Sequence, residues 1–344
     1  MAIINARSPK FVSISNASIS YAVLKLYIWD GLETSVPATP IYEIKKSVIT
    51  GGVKVAFEIS ELIRDQIDIL FDGNYNGQAV WVRVFQTAYN NANAPLGNTT
   101  QDFIAFDGYE YFENPTSPNV PLFISNREIF TLDDASMKIP IYTRVAPTAV
   151  FLKNGSYVSA FVYTSEPDSA DQIQYIPWYA INENVDTIEI YVSGTLIDTV
   201  TVNIIEECVY DPKKITFINK FGALQDMYFF KKSVDKIATQ RENYKANILN
   251  NFYTYSPTQH VKRDFNITAQ ESTTLSSGFL SEEYNEVFKQ MMLSEKIWVT
   301  NTDGQVLPLN IKTSSIQYKT SLNDRLVEYT FDFDNSFNVI NNIR

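Results

Sequence analysis

Apolar and polar residues alternate in many short segments of the chain, which is the period of a half-buried β-strand. The alternation is clearest at Ile188, Ile190 and Val192. Turn-forming pairs join several of these segments, because a glycine after Asn, Asp or Ser supplies the positive φ angles of a two-residue hairpin. The sequence therefore predicts three hairpins, whose turns are Asn154-Gly155, Ser193-Gly194 and Asp303-Gly304.

Few segments have the 3.6-residue period of an amphipathic helix. One predicted helix begins at the capping residue Ser60 and runs through Phe71, and a second begins at Ser281 and runs to about Ser294. A third covers residues 233–250. The apolar faces of the first two consist of Leu62, Ile63, Ile67 and Leu70, and of Tyr284, Val287, Phe288, Met291 and Met292. The whole pattern predicts a mainly β protein of tandem β-sandwich-like modules, with a C-terminal α+β module and few helices.

The composition narrows the class of protein. The chain has 344 residues, of which 45% are apolar and 19% charged, and this balance excludes a wholly disordered chain. A single Cys and a single His exclude a disulfide framework and the common zinc or iron–sulfur sites. The sequence has no apolar run of the length that spans a bilayer and no signal-peptide pattern near Met1, so we expect no membrane insertion and a reducing compartment.

Charge and turn clusters divide the chain. Residues 1–120 have a net charge of −4 and residues 121–211 a net charge of −9. The sign then reverses to +7 over residues 212–263 and returns to −5 over residues 264–344. A proline-rich loop at 113–121 and the charge reversal near Asp211 predict three domains: two β domains at 1–120 and 121–211, and an α+β domain at 212–344. The Asn-rich tract from Tyr89 to Asp102 predicts an exposed loop.

No set of residues has the spacing of a catalytic or metal site. Asp332 and Asp334 share one face of a predicted strand, and the solvated side of an amphipathic strand explains them. His260 lies among cations, and the sequence offers no partner that would orient it as a general base. Cys208 follows two acidic residues, which lower the reactivity of its thiol. We therefore predict no catalytic residue, no metal, no cofactor and no enzymatic activity.

The basic segment 212–263 suggests a docking surface, because its cations can face an acidic surface on another copy in a head-to-tail contact. Two other interpretations stay open: cations scattered over a solvated surface, and a site for single-stranded nucleic acid, which the acidity of the remaining chain disfavours. The predicted docking residues are Lys213, Lys214, Lys220, Lys231, Lys232, Lys236 and Arg241.

Five segments of the chain resemble segments of virion structural proteins of tailed phages that infect Bacteroidetes, the crAss-like and related short-tailed phages. They are Ala22-Val-Leu-Lys-Leu-Tyr-Ile-Trp-Asp-Gly31, Phe106-Asp-Gly-Tyr-Glu-Tyr-Phe112, Ile215-Thr-Phe-Ile-Asn-Lys-Phe-Gly222, Ser277-Gly-Phe-Leu-Ser-Glu-Glu283 and Leu326-Val-Glu-Tyr-Thr-Phe-Asp-Phe333.

The resemblance implies a structural protein of the virion, made in the host cytoplasm and located in the tail or neck. It implies a ring protein, a closed homo-oligomer around the DNA channel that contacts the portal and other ring or tail proteins. Genomic DNA would pass nearby without sequence-specific binding, because an acidic surface repels phosphates.

Two other functions compete with the ring protein. The chain could be a glycan-binding tail-fibre or adhesin module that uses Trp81 or Trp178 as a stacking platform, although core packing of each ring is the plainer explanation. It could also be a hydrolase that uses Asp332 and Asp334.

Overall fold

The computed structural model of the chain describes residues 2–75, 78–110, 122–133, 137–142, 147–162, 173–177, 185–206, 209–249, 252–301, 303–318 and 326–339. These residues form a mainly β protein with several β-sandwich-like sheets, which confirms the predicted fold class. The first strands are β1 (Ala2–Asn5), β2 (Phe11–Ser15), β3 (Tyr21–Trp29), β4 (Tyr42–Ser47), β5 (Lys54–Glu58), β6 (Ala79–Tyr89), β7 (Pro95–Phe106), β8 (Glu128–Thr131), β9 (Lys138–Tyr142), β10 (Pro147–Lys153), β11 (Ser156–Val162) and β12 (Ile173–Pro177). The later strands are β13 (Thr187–Val192), β14 (Thr195–Ile204), β15 (Lys213–Ile218), β16 (Leu224–Phe229), β17 (Val234–Lys245), β18 (Lys262–Ser276), β19 (Leu280–Ser281), β20 (Ile297–Thr300), β21 (Val306–Ile311), β22 (Leu326–Val327) and β23 (Thr330–Asn335). The described helices are α1 (Ser60–Arg64) and α2 (Tyr284–Leu293).

The chain divides into two compact units. The first consists of Met1–Glu206, Thr216–Met227 and Glu283–Glu295, and the second of Glu207–Ile215, Tyr228–Glu282 and Lys296–Arg344. The predicted boundary at residue 120 lies outside the described residues, and the one near residue 211 lies in the second unit. The three predicted domains stay a prediction.

The N-terminal part of the first unit is a five-stranded sheet with the order β1-β7-β6-β3-β4, accompanied by the antiparallel pair β2-β5. Every second residue of β3 is buried, from Ala22 to Ile28, because side chains alternate between the two faces of a strand. The same core contains Val82 and Val84 of β6 and Ile63 of α1. Burial of this branched apolar surface is the main force that holds the sheet and the pair together.

A second five-stranded sheet of the first unit has the order β11-β10-β13-β14-β8. It contains two of the predicted hairpins. Asn154 and Gly155 adopt positive φ between β10 and β11, and Ser193 and Gly194 do so between β13 and β14. The third predicted hairpin, β20-β21, is present in the second unit, where Gly304 has a φ of 78°. The Asx-Gly and Ser-Gly pairs thus predicted all three hairpins correctly, although five residues and not two connect β20 to β21.

The two predicted amphipathic helices differ in outcome. The second is confirmed as α2, with Tyr284, Val287, Phe288 and Met291 buried, although its N-cap is Glu283 and not Ser281. The first is much shorter than predicted, because the chain leaves the helix after Arg64 and then buries Ile69 and Phe71. Leu70, expected on the buried face, is 73% exposed.

The third predicted helix, residues 233–250, is wrong. Residues 234–245 form strand β17, which pairs antiparallel with β18 along its full length. The positions of Val234, Ile237 and Ala238 imitate the spacing of a helix face, but the ladder to the threonine-rich β18 overrides this local preference.

The predicted loop from Tyr89 to Asp102 is also largely wrong. Only residues 90–94 form a turn, in which the Asn90 Oδ1 accepts hydrogen bonds from the amides of Ala92 and Ala94, both at 2.9 Å. From Pro95 onward the chain is strand β7, which returns along β6. The asparagines marked the turn correctly, but composition alone could not show that the partner strand extends beside the residues that follow.

The second unit contains most of a seven-stranded sheet with the order β16-β15-β20-β21-β23-β18-β17. Phe331 and Phe333 of β23 are buried, whereas Asp332 is exposed and Asp334 is partly exposed on the opposite face. One of the two edge strands of the sheet is β17, and all of its residues are exposed.

Candidate interaction site

The most unusual surface of the described chain is a long β-hairpin in the second unit, which we call the arm. It consists of β17, the described residues 246–249 and 252–261 of the connection, and β18. Strand β23 pairs with β18 only from Ser272 to Ser276, so this part joins the arm to the sheet. From Lys262 to Glu271, β17 is the only described strand that pairs with β18. The outer part of the arm is therefore a two-stranded ribbon, which is marginally stable by itself in water.

The arm exposes an unusual amount of apolar surface. Ile237 is 60% exposed, and Phe252 and Tyr253 in the connection are 83% and 86% exposed. The other large apolar side chains exposed on the arm are Val234, Tyr244, Leu249, Tyr255, Val261 and Phe265. Single exposed apolar residues are ordinary, but a group of them on one element makes the arm a candidate interaction site.

The outer end of the arm, residues 243–263, which we call the tip, is basic. It contains Lys245, Lys262, Arg263 and the single histidine, His260, and it contains no acidic residue. Lys245 lies directly opposite Lys262 in the ladder. Like charges directly opposite in a sheet destabilise the pairing. Closer to the sheet and outside the tip, the Arg241 Nη1 forms an ion pair with the Asp264 Oδ2 at 3.3 Å.

The predicted docking residues divide between the two units. Lys220 belongs to the first unit, where its Nζ lies 5.0 Å from the centre of the Phe221 ring. The others belong to the second unit. There Lys214 is buried, and the Lys213 Nζ contacts the Asp211 carboxylate at 2.9 Å.

Only two of the predicted docking residues, Lys236 and Arg241, lie on the arm, while Lys231 and Lys232 follow β16. The role of the predicted set in docking stays a prediction. Lys245, Lys262 and Arg263 belong to the basic segment but not to the predicted docking set. Their juxtaposition follows from strand pairing, which the incorrect helix prediction concealed.

The candidate catalytic groups have ordinary structural environments. The Asp332 Oδ1 accepts a hydrogen bond from the Thr274 hydroxyl at 2.5 Å, and the Asp334 Oδ1 lies 3.4 Å from the Lys312 Nζ. Both belong to the polar face of the sheet, as the solvated-strand interpretation predicts. His260 is exposed in the tip, and Cys208 lies outside the described residues.

Of the two candidate glycan-stacking residues, only Trp81 lies within the described residues. Trp81 is buried, and its Nε1 donates a hydrogen bond to the Gly31 carbonyl oxygen at 2.8 Å. It is therefore a core residue and not a glycan platform. Trp178 lies outside the described residues.

A buried polar network in the first unit surrounds Asp226. Its carboxylate accepts hydrogen bonds from the Tyr75 hydroxyl at 2.6 Å and the Thr216 hydroxyl at 2.7 Å. Burial raises the pKa of the Tyr75 hydroxyl well above its ordinary value, and the Asp226 carboxylate raises it further, so Tyr75 remains a neutral donor. The network joins the segment 216–227 to the rest of its unit.

A groove of about 450 Å³ lies at the base of the arm, within the second unit. Leu275, Val299 and Leu309 contribute to its apolar floor. Its charged lining residues are two acids and two bases: Asp235, Glu271, Lys213 and Lys236. This balanced charge does not select one class of ligand.

The described residues contain neither a membrane-spanning helix nor a cluster of metal ligands. No described helix is long and apolar enough to cross a membrane. Within the described ranges, no group of three or more His, Cys, Asp or Glu residues has a geometry that could hold a metal ion.

Comparison with known proteins adds little. No family model and no curated protein matches the chain. One similar solved structure is described as the crystal structure of CBD12 from CALX1.2, with 9% identity over 55% of this chain and 75% of that chain and a TM-score of 0.19. Another, the calcium binding domain CBD12 of CALX1.1, has 10% identity over 60% of this chain and 79% of that chain, also with a TM-score of 0.19. Similarity this low carries no argument about this chain.

Proposed function

We propose that the chain is a structural component of a tailed-phage virion, a tail or neck ring protein that assembles into a closed homo-oligomer around the DNA channel. It contacts neighbouring portal, ring or tail proteins and catalyses no reaction. The resemblance of five sequence segments to virion proteins gives the biological setting, and the arm gives the physical means of assembly.

The exposed arm is the observation that carries this proposal. A twelve-residue strand without one buried residue adds little stability to a monomer, because folding the strand costs conformational entropy and buries little apolar surface. The outer edge of β17, with which no described strand pairs, also offers backbone N–H and C=O groups to another chain. A subunit interface on the arm supplies the burial that the monomer lacks.

The charge distribution supports a ring with different surfaces in contact. The first unit contains 14 basic and 27 acidic residues, a net charge of −13, whereas the second contains 14 basic and 12 acidic residues, a net charge of +2. Complementary surfaces of this kind steer association and fix orientation. A head-to-tail contact between them closes into a ring when the rotation per subunit allows it. The net charge of −11 also keeps passing DNA from adhering.

The test is the assembly state of the purified full-length chain. We expect mass photometry to show a discrete species of several subunits whose fraction rises with concentration and falls with added salt, since salt screens exposed charges. Class averages in electron microscopy are expected to show a closed ring with a central channel. A monomer at every concentration, or open filaments without rings, contradicts the proposal.

A further inference from the structure

We propose that the tip of the arm docks onto the acidic first unit of a second copy of the chain. This inference rests on the proposed self-assembly and adds the surface and the partner. It makes the contact heterologous, because the tip belongs to the second unit and its partner surface to the first.

The opposed cations of the tip are the first argument. Lys245 faces Lys262 across the ladder, and Tyr244 faces Arg263 beside them. The described structure places no acidic residue between positions 243 and 263 to offset this repulsion. An anionic partner surface would relieve it, so the arrangement costs stability in the monomer and favours the complex.

The aromatic side chains of the tip are the second argument. Phe252, Tyr253 and Tyr255 are all more than 60% exposed. Tyrosine and other aromatic residues are enriched at the centres of interfaces, where a large ring buries much area at a low cost in side-chain entropy. A tip that combines rings with cations fits a protein surface that is acidic and partly apolar.

The first unit offers such a surface around the end of α1. Glu61, Asp65 and Asp72 are exposed there, and Leu70 adds a largely exposed apolar side chain. Arg64, the one cation between residues 61 and 72, contacts Glu295 at 2.5 Å. The segment 61–72 thus presents negative charge beside an apolar contact point, the complement of the tip.

Nucleic acid is the other polyanion that aromatic rings and cations can bind. Charge favours the second copy, because a first unit with a net charge of −13 attracts the tip and repels phosphates. The experiment therefore includes an oligonucleotide as a competitor.

Photo-crosslinking tests the contact directly. The full-length chain with benzoylphenylalanine in place of Tyr253 is assembled from a mixture of ¹⁴N- and ¹⁵N-labelled copies, with a single-stranded oligonucleotide present, and is then irradiated. We expect mixed-isotope crosslinks between position 253 and the first unit. The matched control places the same photo-reactive residue at Phe337, an exposed aromatic residue of the second unit outside the arm, and is expected to give no such crosslinks.

Each other outcome overturns the inference in a distinguishable way. A chain that stays monomeric contradicts the proposed function as well. A chain that assembles, but whose position 253 crosslinks only to the second unit, to the oligonucleotide or to nothing, contradicts the inference and leaves ring assembly intact.

A charge reversal provides a second readout. Lys262→Glu is expected to weaken self-association about tenfold, because it places a like charge against the acidic partner. Lys312→Glu reverses another exposed cation of the second unit, outside the arm, and is expected to leave self-association unchanged. Equal effects of the two variants would show that the net charge acts and not the tip.

Discussion

Two long hairpins of similar length have opposite environments in this protein. In β6-β7, the first four residues of β6 and then every second residue are buried, and β3 pairs with the other edge of β6. Arg83 and Asp102 face each other, and their two hydrogen bonds measure 2.6 and 2.8 Å. In β17-β18 every residue of β17 is exposed, and Lys245 faces Lys262.

The two environments indicate different roles for the two hairpins. The first hairpin has a third strand, a buried face and an opposite-charge pair, so its own fold accounts for its sequence. The outer part of the second has no third described strand, and none of the residues of β17 is buried; the Arg241–Asp264 ion pair is its one opposite-charge contact among the described residues. Its own packing therefore accounts for little of its sequence, in line with the proposed binding role. Local stability and local charge can therefore distinguish an element that builds the fold from one that serves assembly.

Matched truncations should separate the two hairpins most strongly. Ile104 of β7 is fully buried, and Ile104→Ala is expected to destabilise the first unit by about 2–5 kcal/mol, since it leaves a cavity. Ile237→Ala on β17 removes the same atoms from an exposed site and is expected to change the stability by less than about 0.5 kcal/mol. Denaturant unfolding of both variants checks this, and equal losses would mean that the arm is packed in the free chain.

Two turn glycines compare a hairpin whose turn packs closely against other backbone with one whose turn is surrounded by open space. Gly222, between β15 and β16, has a φ of 82°, and a Cβ there would lie 2.7 Å from the Asp107 amide nitrogen. Gly194 has a similar φ of 78° but open space around it. Gly194→Ala is expected to cost about 1–2 kcal/mol from φ alone. Gly222→Ala is expected to cost about 1–3 kcal/mol more, because backbone must move. Thermal melts of the two variants measure the difference, and equal costs would contradict the close approach.

The ion pairs of the two hairpins should differ modestly. Asp102→Asn breaks a bidentate pair and is expected to cost up to about 1 kcal/mol. Asp264→Asn breaks the single 3.3 Å contact with Arg241 and is expected to change the stability by less than about 0.3 kcal/mol. Urea unfolding of the two variants at low and high salt measures both losses of stability. A larger loss for Asp264→Asn than for Asp102→Asn would contradict the view that β6-β7 builds the fold and the arm does not.

One expected change in stability is a gain. Lys262→Glu replaces a like-charge pair with an opposite-charge pair at Lys245, so the monomeric arm should gain about 0.2–1 kcal/mol. Amide hydrogen exchange of β17 in dilute monomer measures this as slower exchange. The same variant should associate more weakly, and a loss of both stability and association would indicate damage to the fold instead.

The sequence predicted the local elements better than the long-range pairings. The turns at Gly155, Gly194 and Gly304 and the helix around Phe288 were predictable because a few neighbouring residues determine them. The sequence of β17 suggests a helix because its only described partner strand, β18, is separated from it by 16 intervening residues. The chemistry of the tip was missed for the same reason, since Lys245 and Lys262 become neighbours only through that pairing.

Amide hydrogen exchange on the dilute and the assembled full-length chain tests the central claim most directly. The account predicts that assembly slows exchange in residues 237–263 of the arm, while residues 79–106 of the β6-β7 hairpin, already protected in the monomer, change little. An arm that exchanges at the same rate before and after assembly would contradict the claim that it exists to bind another subunit.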